Sequence, residues 1–505
     1  MGESKRNPIH SQSPMQSCRP AQLTVARTIV CVTVPMRSLE SHLRHRCKRV
    51  RPCSSIALLL ALGACHSQNA PPGLAIAHVS VVDVVRGAID SDRTVVISGA
   101  RILRLGPAGR VRVPAETRVI DGRGKYLIPG LWDMHVHLDS GALAQLVSHG
   151  VTGVRDMGGE ARKLVALRRG IEAGTITGPR LVIAGPLLAG GAIEPTRSRV
   201  VVRTEPEAQR AVDSLVALGV DFIKIHDGLS RSAYFAIARE ARARHVPFSG
   251  HVPSDVTPTE ASDSGQKSIE HLEFIPDACM QRFSSPTVEA PAGCGADRMD
   301  ALLGELRRNG TWLDPTISMF RVYVTRAAYD SIFAGFKLLT PALRRSGVRL
   351  LIGTDMENSR IKAGESLHDE MELLVLAGFS PLDVLRGTTS NAAAYLGTSD
   401  SLGTVAVGQI AELVLIDGDP LVDIRNARRI SAVLRQGRVV FTASSPSRSR
   451  VQAAARRAPP VCPCGSLGPP TCADDCAWFT RDRSDTLSQE AQGAPPDLRS
   501  RRGRD

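Results

Sequence analysis

An apolar run from Tyr126 to Met134 ends in His135-Val136-His137. Histidines two apart on a strand project from one face, so this strand would deliver two imidazoles to one point. Four later β-like runs also place metal-binding or titratable residues at or near their ends. They carry Lys224 (Asp221 to Asp227), His251 (after Phe248-Ser249-Gly250), His271 (after Ile269-Glu270) and Asp355 (after Ile352-Gly353-Thr354). We read strands at 131–136, 151–156, 180–185, 221–226, 246–251, 267–271, 311–316 and 348–355. Helical patterns lie between them, among them 160–173, 205–218, 230–244 and 298–308. Such alternation predicts an α/β fold, a (β/α)8 TIM barrel. An open doubly wound sheet would not gather the ends of strands one, four, five, six and eight around one mouth. A closed barrel would.

The flanks read differently. Residues 76–125 are short β-like runs with Gly and Asp turns, and the same style returns at 401–442. The two pieces are expected to pair into a composite β-sandwich beside a barrel spanning 126–400. Net charge is +13, which raises the question of nucleic acid. Residues 1–65 hold +8 of it and residues 446–505 hold +3, leaving +2 for the body. With no basic patch interleaved with aromatics there, nucleic-acid binding is not expected. A basic stretch (Arg44 to Arg51) precedes the apolar run Ile56 to Leu62, followed by Leu62-Gly63-Ala64-Cys65. That order reads as an export signal over 1–65, too short to span a bilayer as a stable anchor. Its end resembles a bacterial lipobox, which implies lipidation at Cys65 and a periplasmic or membrane-anchored lipoprotein. The signal lies unusually far into the chain, which suggests an internal start near Met36 or Val50. Residues 66–75 read as a linker, and 443–505, rich in Arg, Pro, Ala and Ser, as a disordered tail. Of eleven cysteines, only Cys279 and Cys294 fall in the body. In an oxidising compartment they are disulfide candidates, with two free thiols the alternative.

Imidazole and carboxylate ligands together suit zinc or a similar divalent ion. Lys224 decides how many ions are expected. Ile223 and Ile225 share one strand face, which would turn Lys224 and His226 toward the barrel interior. A buried lysine has a depressed pKa, and its neutral amine can take up carbon dioxide. The resulting carbamate is an anion with two oxygens, suited to bridge two divalent ions. Without it, the same donors would more naturally hold one.

The motifs Pro129-Gly130-Leu131-Trp132-Asp133-Met134-His135-Val136-His137, Gly150-Val151-Thr152-Gly153-Val154-Arg155-Asp156, Asp221-Phe222-Ile223-Lys224-Ile225, Gly250-His251-Val252-Pro253, Glu270-His271 and Gly353-Thr354-Asp355 resemble the amidohydrolase superfamily. Within it, the chain looks like the imidazolonepropionase-related branch, and Lys224 is similar to the strand-four lysine of prolidase-like members. The resemblance covers roughly 76–440. It implies that His135, His137 and Asp355 bind one metal, that His251 and His271 bind the second, and that carboxylated Lys224 bridges them. The implied reaction is hydrolysis of a C–N amide bond by a metal-bridging hydroxide, with Asp355 shuttling the proton. Substrates would be a dipeptide, an N-acyl amino acid or a related small amide. Some prolidase-like relatives carry a histidine in the strand-three loop; Leu188 to Glu194 holds none. Alternatives are a mononuclear deaminase or cyclic-amide hydrolase, and a surface binding protein without turnover. Specificity is expected in loops after the strands, the long ones at 186–204, 272–297 and 316–337. Arg155, His226, Tyr234, Arg321 and Tyr323 are candidate substrate contacts, with a surface or packing role the alternative for each. The sequence leaves a homo-oligomer open.

Overall fold

The computed structural model describes residues 73–191, 194–271, 296–357 and 360–443. The export segment with Cys65, most of the linker, Cys279, Cys294 and the tail beyond 443 lie outside the described residues.

One eight-stranded sheet joins the two flanks. Leu74–Asp83 is its centre, paired antiparallel with Ala88–Ser98 and parallel with both Arg118–Asp121 and Tyr126–Pro129. Leu413–Ile416 adds to Tyr126–Pro129, and Ile430–Arg435 and Arg438–Thr442 follow. Alternation along these strands feeds two cores. Leu413 and Leu415 join Ile76, Val95 and Ile102 inside the β domain, while Val414 and Ile416 pack with barrel residues such as Val147 and Val151. The sheet curls on itself, since Ile102 N donates to Gln409 O (2.9 Å) and Ala411 N to Ala100 O (2.8 Å). The expected boundary at 126 is corrected here, because Tyr126–Pro129 belongs to the β domain. Gly130 makes the passage into the barrel, and a Cβ there would lie 2.0 Å from Thr152 Oγ1.

Seven barrel strands are Leu131–Val136, Val151–Asp156, Arg180–Ile183, Ile223–Ile225, Phe248–Gly250, Ser268–Glu270 and Trp312–Asp314, all parallel to their paired neighbours. The eighth, expected at 348–355, forms no continuous ladder. It makes parallel bridges only at Leu350 and Met356. Backbone hydrogen bonds nevertheless tie it to both neighbours: Leu351 N to Leu313 O (2.8 Å) and Met134 N to Ile352 O (3.0 Å). On the opposite seam, Asp221 N donates to Ile183 O (2.8 Å). The molecule is thus a TIM barrel with a composite β-sandwich.

Local signals explain the helices. Glu205–Leu218 has a Thr204/Glu207 capping box and ends on left-handed Gly219 (φ 79°). Ala161–Glu172, Arg231–Ala243 and Ala296–Asn309 fall where the apolar periodicity puts them. The loop expected at 316–337 is corrected: it is helical, as Ile317–Tyr323 and the start of Arg326–Ser346, the latter capped by Thr325. The segment expected as a loop at 186–204 holds two short strands, Leu187–Ala189 and Arg199–Val201, paired in parallel.

Candidate metal centre

The strand ends meet as the spacing requires. His137, Lys224, His226, His251, His271 and Asp355 line one cavity of about 280 Å³, together with Gly158, Leu187, Ser198, Arg199 and Glu357. His135 lies just beneath, fully buried, its ring 4.8 Å from that of His271 and 5.7 Å from that of His137. The His251 ring is 4.9 Å from His271 and 4.2 Å from His226. Oδ1 of Asp355 stands 3.2 Å from Nε2 of both His135 and His137.

Each of the four expected ligand histidines has its Nδ1 beside a different group. These are Glu270 for His135 (3.2 Å), the Gly158 carbonyl for His137 (3.1 Å), Asp227 for His251 (3.0 Å) and Thr316 Oγ1 for His271 (2.6 Å). A histidine held at Nδ1 has its orientation fixed and offers Nε2 as a ligand atom. Neither ring nitrogen of His135 has an aligned hydrogen-bond partner, although both are buried. With Nδ1 beside Glu270 and Nε2 beside Asp355, each at 3.2 Å, this imperfect pairing leaves Nε2 available to a cation. Ligand atoms of His135, His271 and Asp355 lie within 4.8 Å of one another, as do those of His226, Asp227 and His251. The donor set therefore fits a divalent ion.

The backbone is bent to make this arrangement. His271 (φ 62°), Thr316 (φ 48°) and Asp355 (φ 55°) all adopt left-handed conformations that non-glycine residues disfavour. Strain of this kind persists where the surrounding structure over-determines it, typically at functional sites. Two glycines clear the space. A Cβ on Gly250 would lie 2.0 Å from Ile225 O, and one on Gly353 would lie 2.4 Å from the Cβ of His135.

Lys224 is 1 % exposed. Ile223 and Ile225 pack outward against Val212, Leu215 and Ile237 of the surrounding helices, so the lysine points inward as the strand phase predicts. Burial, with Lys224 as the main charged contributor, holds His251 well below the usual imidazole range. Burial and His135 do the same for His271. Neutral imidazole is the form that ligates metal. His226 is pushed down to about 4 by burial, against the pull of Asp227 and with the help of Lys224 and Arg199. Asp355 is held well below the usual carboxylate range, since His135 and His137 outweigh its burial.

Of the candidate substrate contacts, His226 is in the cavity wall. Arg155 is not, and this corrects the expectation. It is fully buried below the histidines, and its donors reach Met134 O (2.5 Å), Ser268 Oγ (2.8 Å), Tyr395 OH (2.9 Å) and Glu270 (2.7 Å). Tyr234 is also corrected. It lies in the helix layer, where its hydroxyl donates to Gln266 Oε1 at 2.7 Å. Arg321 is exposed, donates to the Tyr329 hydroxyl (3.2 Å) and does not line the cavity. Tyr323, 42 % exposed, does not line the cavity and donates its hydroxyl to Glu357 of the wall. Sequence reading missed the groups that orient the site: Glu270, Asp227, Thr316, Gly158 and, in the wall, Arg199. Glu270 and Asp227 directly adjoin His271 and His226, and that adjacency was the available signal.

Several known proteins resemble this chain. The model of the amidohydrolase family matches residues 126–440. An adenine deaminase of Chelativorans sp. (strain BNC1) is 34 % identical over 224 residues, 40 % of this chain and 35 % of its own length. The chain thus spans about a third of the adenine deaminase it matches. Imidazolonepropionase of Pseudomonas syringae pv. tomato is 24 % identical over 391 residues, 67 % of this chain and 91 % of that protein. The solved structure of a candidate prolidase from Bifidobacterium longum superposes with a TM-score of 0.61 at 26 % identity, covering 76 % of this chain and 98 % of that one.

Proposed function

The chain belongs to the amidohydrolase family, and from that premise we propose that it is a metal-dependent hydrolase of a C–N amide bond in a dipeptide, N-acyl amino acid or related small amide. The observation that carries this reading is the set of four imidazoles, each with Nδ1 beside a separate partner, around a cavity that also holds Lys224 and Asp355.

His135, His137 and Asp355 would hold one ion, and His251 and His271 a second. Lys224, carboxylated by carbon dioxide, would bridge the two. Zinc suits these donors. Such a pair of ions, when bound, acidifies a water and polarises the scissile carbonyl. The chain's own groups do the rest. Asp227, Glu270, Thr316 and the Gly158 carbonyl orient the imidazoles, so little reorganisation accompanies the reaction. Asp355 Oδ, in the cavity wall, would accept the water's proton and return it to the leaving nitrogen. His226 lines the wall in its neutral form and can donate or accept one hydrogen bond to substrate.

The second reading is a mononuclear deaminase or cyclic-amide hydrolase. It is favoured by the compact His135–His271–Asp355 group, which needs no lysine, and by the adenine deaminase and imidazolonepropionase alignments. Metal-loaded protein assayed against dipeptides, N-acyl amino acids, adenine and imidazolone substrates separates the two. Chelator-sensitive hydrolysis of acyclic amides supports the first reading, and turnover confined to ring substrates contradicts it. The N-terminal pattern further supports export with a lipid on Cys65. An unprocessed N-terminus by mass spectrometry in a bacterial host would refute this.

A further inference from the structure

Arg199 stands in the cavity wall with Lys224, His226, His251 and Asp355. It is carried by Arg199–Val201, which pairs in parallel with Leu187–Ala189, and that strand in turn borders Ile223–Ile225 of the barrel. The guanidinium therefore sits on an extension of the barrel sheet, a rigid mount for a binding group. Its Nε is buried and has no hydrogen-bond partner among the described residues. The two carboxylates of the same wall are committed elsewhere. Asp355 lies between Nε2 of His135 and Nε2 of His137, and Glu357 accepts from the Tyr323 hydroxyl. Arg155 shows what a purely structural arginine looks like in this barrel, with Nε and both terminal nitrogens hydrogen-bonded. A partly buried guanidinium without an anion is costly, and its planar fork matches a carboxylate.

We propose that Arg199 binds the free carboxylate of the substrate and thereby selects N-acyl amino acids and dipeptides with a free C-terminus over neutral amides and neutral purines. The inference rests on the amide-hydrolase reading above and names its substrate class. Arg199 is a specificity residue in this account; the chemistry stays with Asp355 and the metal ligands.

The test uses matched pairs: an N-acetyl amino acid against its C-terminal amide, and a dipeptide against its dipeptide amide, with the metal-loaded full chain. Wild-type protein should favour the free acid by roughly 30-fold or more in kcat/KM, the size of a hydrogen-bonded charge contact. Arg199→Gln should erase the preference by raising KM for the acid. Its kcat, its rate on the amide and its metal content should stay near wild type, which a structural role would not produce. Arg199→Lys should keep part of the preference. Equal use of both members by wild type, or an unchanged preference in Arg199→Gln, would overturn the proposal. Calorimetric binding of the same pairs covers a protein without turnover. Binding that needs both the carboxylate and Arg199, without hydrolysis, would sink the hydrolase reading and leave Arg199 in its role. Equal binding of acid and amide would remove that role.

Discussion

Arg155 and Lys224 are both cationic, both on barrel strands, and 0 % and 1 % exposed. Their surroundings differ in kind. Arg155 sits in a polar floor where Glu270, Asp314, Ser268 and Tyr395 consume its donors, and Glu270 also accepts from Ser268. Lys224 sits in a cavity wall among imidazoles. Burial of charge alone therefore does not mark a site. The floor is a closed network whose members answer one another, as buried charges generally must. The mouth presents a surplus of nitrogen ligands facing one space. Glu270 joins the two levels, because it pairs with Arg155 below and with Nδ1 of His135 above.

Variants can break this distinction, beginning with the largest effect. Arg155→Met should lower unfolding stability by about 3–5 kcal/mol, the usual result of stranding a buried partner charge. Adding Glu270→Gln should recover part of that loss; denaturant midpoints of the metal-free proteins measure both. His251→Ala should do the reverse, with turnover falling on the order of a thousand-fold while the metal-free midpoint stays near wild type. A large stability loss there would place His251 with the floor. Asp227→Asn keeps the shape but weakens the carboxylate at His251 Nδ1, and metal affinity should drop about 10- to 100-fold by competition with a chelating dye. Smallest is Tyr234→Phe. Losing the hydrogen bond to Gln266 should cost about 1 kcal/mol and leave kcat/KM unchanged. A change in KM instead would restore Tyr234 to the substrate site.

How much of this was legible depended on the range of the signal. Strand ends carrying His135, His137, His251, His271 and Asp355 could be read because period and residue type are local. The inward face of Lys224 followed from Ile223 and Ile225 in the same way. Arg155 departs from its expected role for a specific reason. Strand phase turns it inward, but whether an inward arginine meets substrate or Glu270 depends on residues more than a hundred positions away. Tyr234 departs from its expectation in the same way, since its partner Gln266 lies in the connection that precedes Ser268–Glu270. Arg199 was invisible because its strand forms only by pairing with Leu187–Ala189. The loop expected at 316–337 hid two helices; the N-terminal backbone of the first is held by buried Glu370, which accepts from Ile317 N (2.9 Å) and Ser318 N (2.6 Å). No reading of residues 316–337 alone supplies that partner.

Lys224 is proposed as part of a two-ion centre. Metal content per chain, measured on the purified protein and on Lys224→Ala, tests it directly. Two divalent ions are expected in the parent and fewer in the variant, with a loss of hydrolysis that small carboxylate additives partly restore. One ion in both proteins, with turnover unaffected by the substitution, would contradict it.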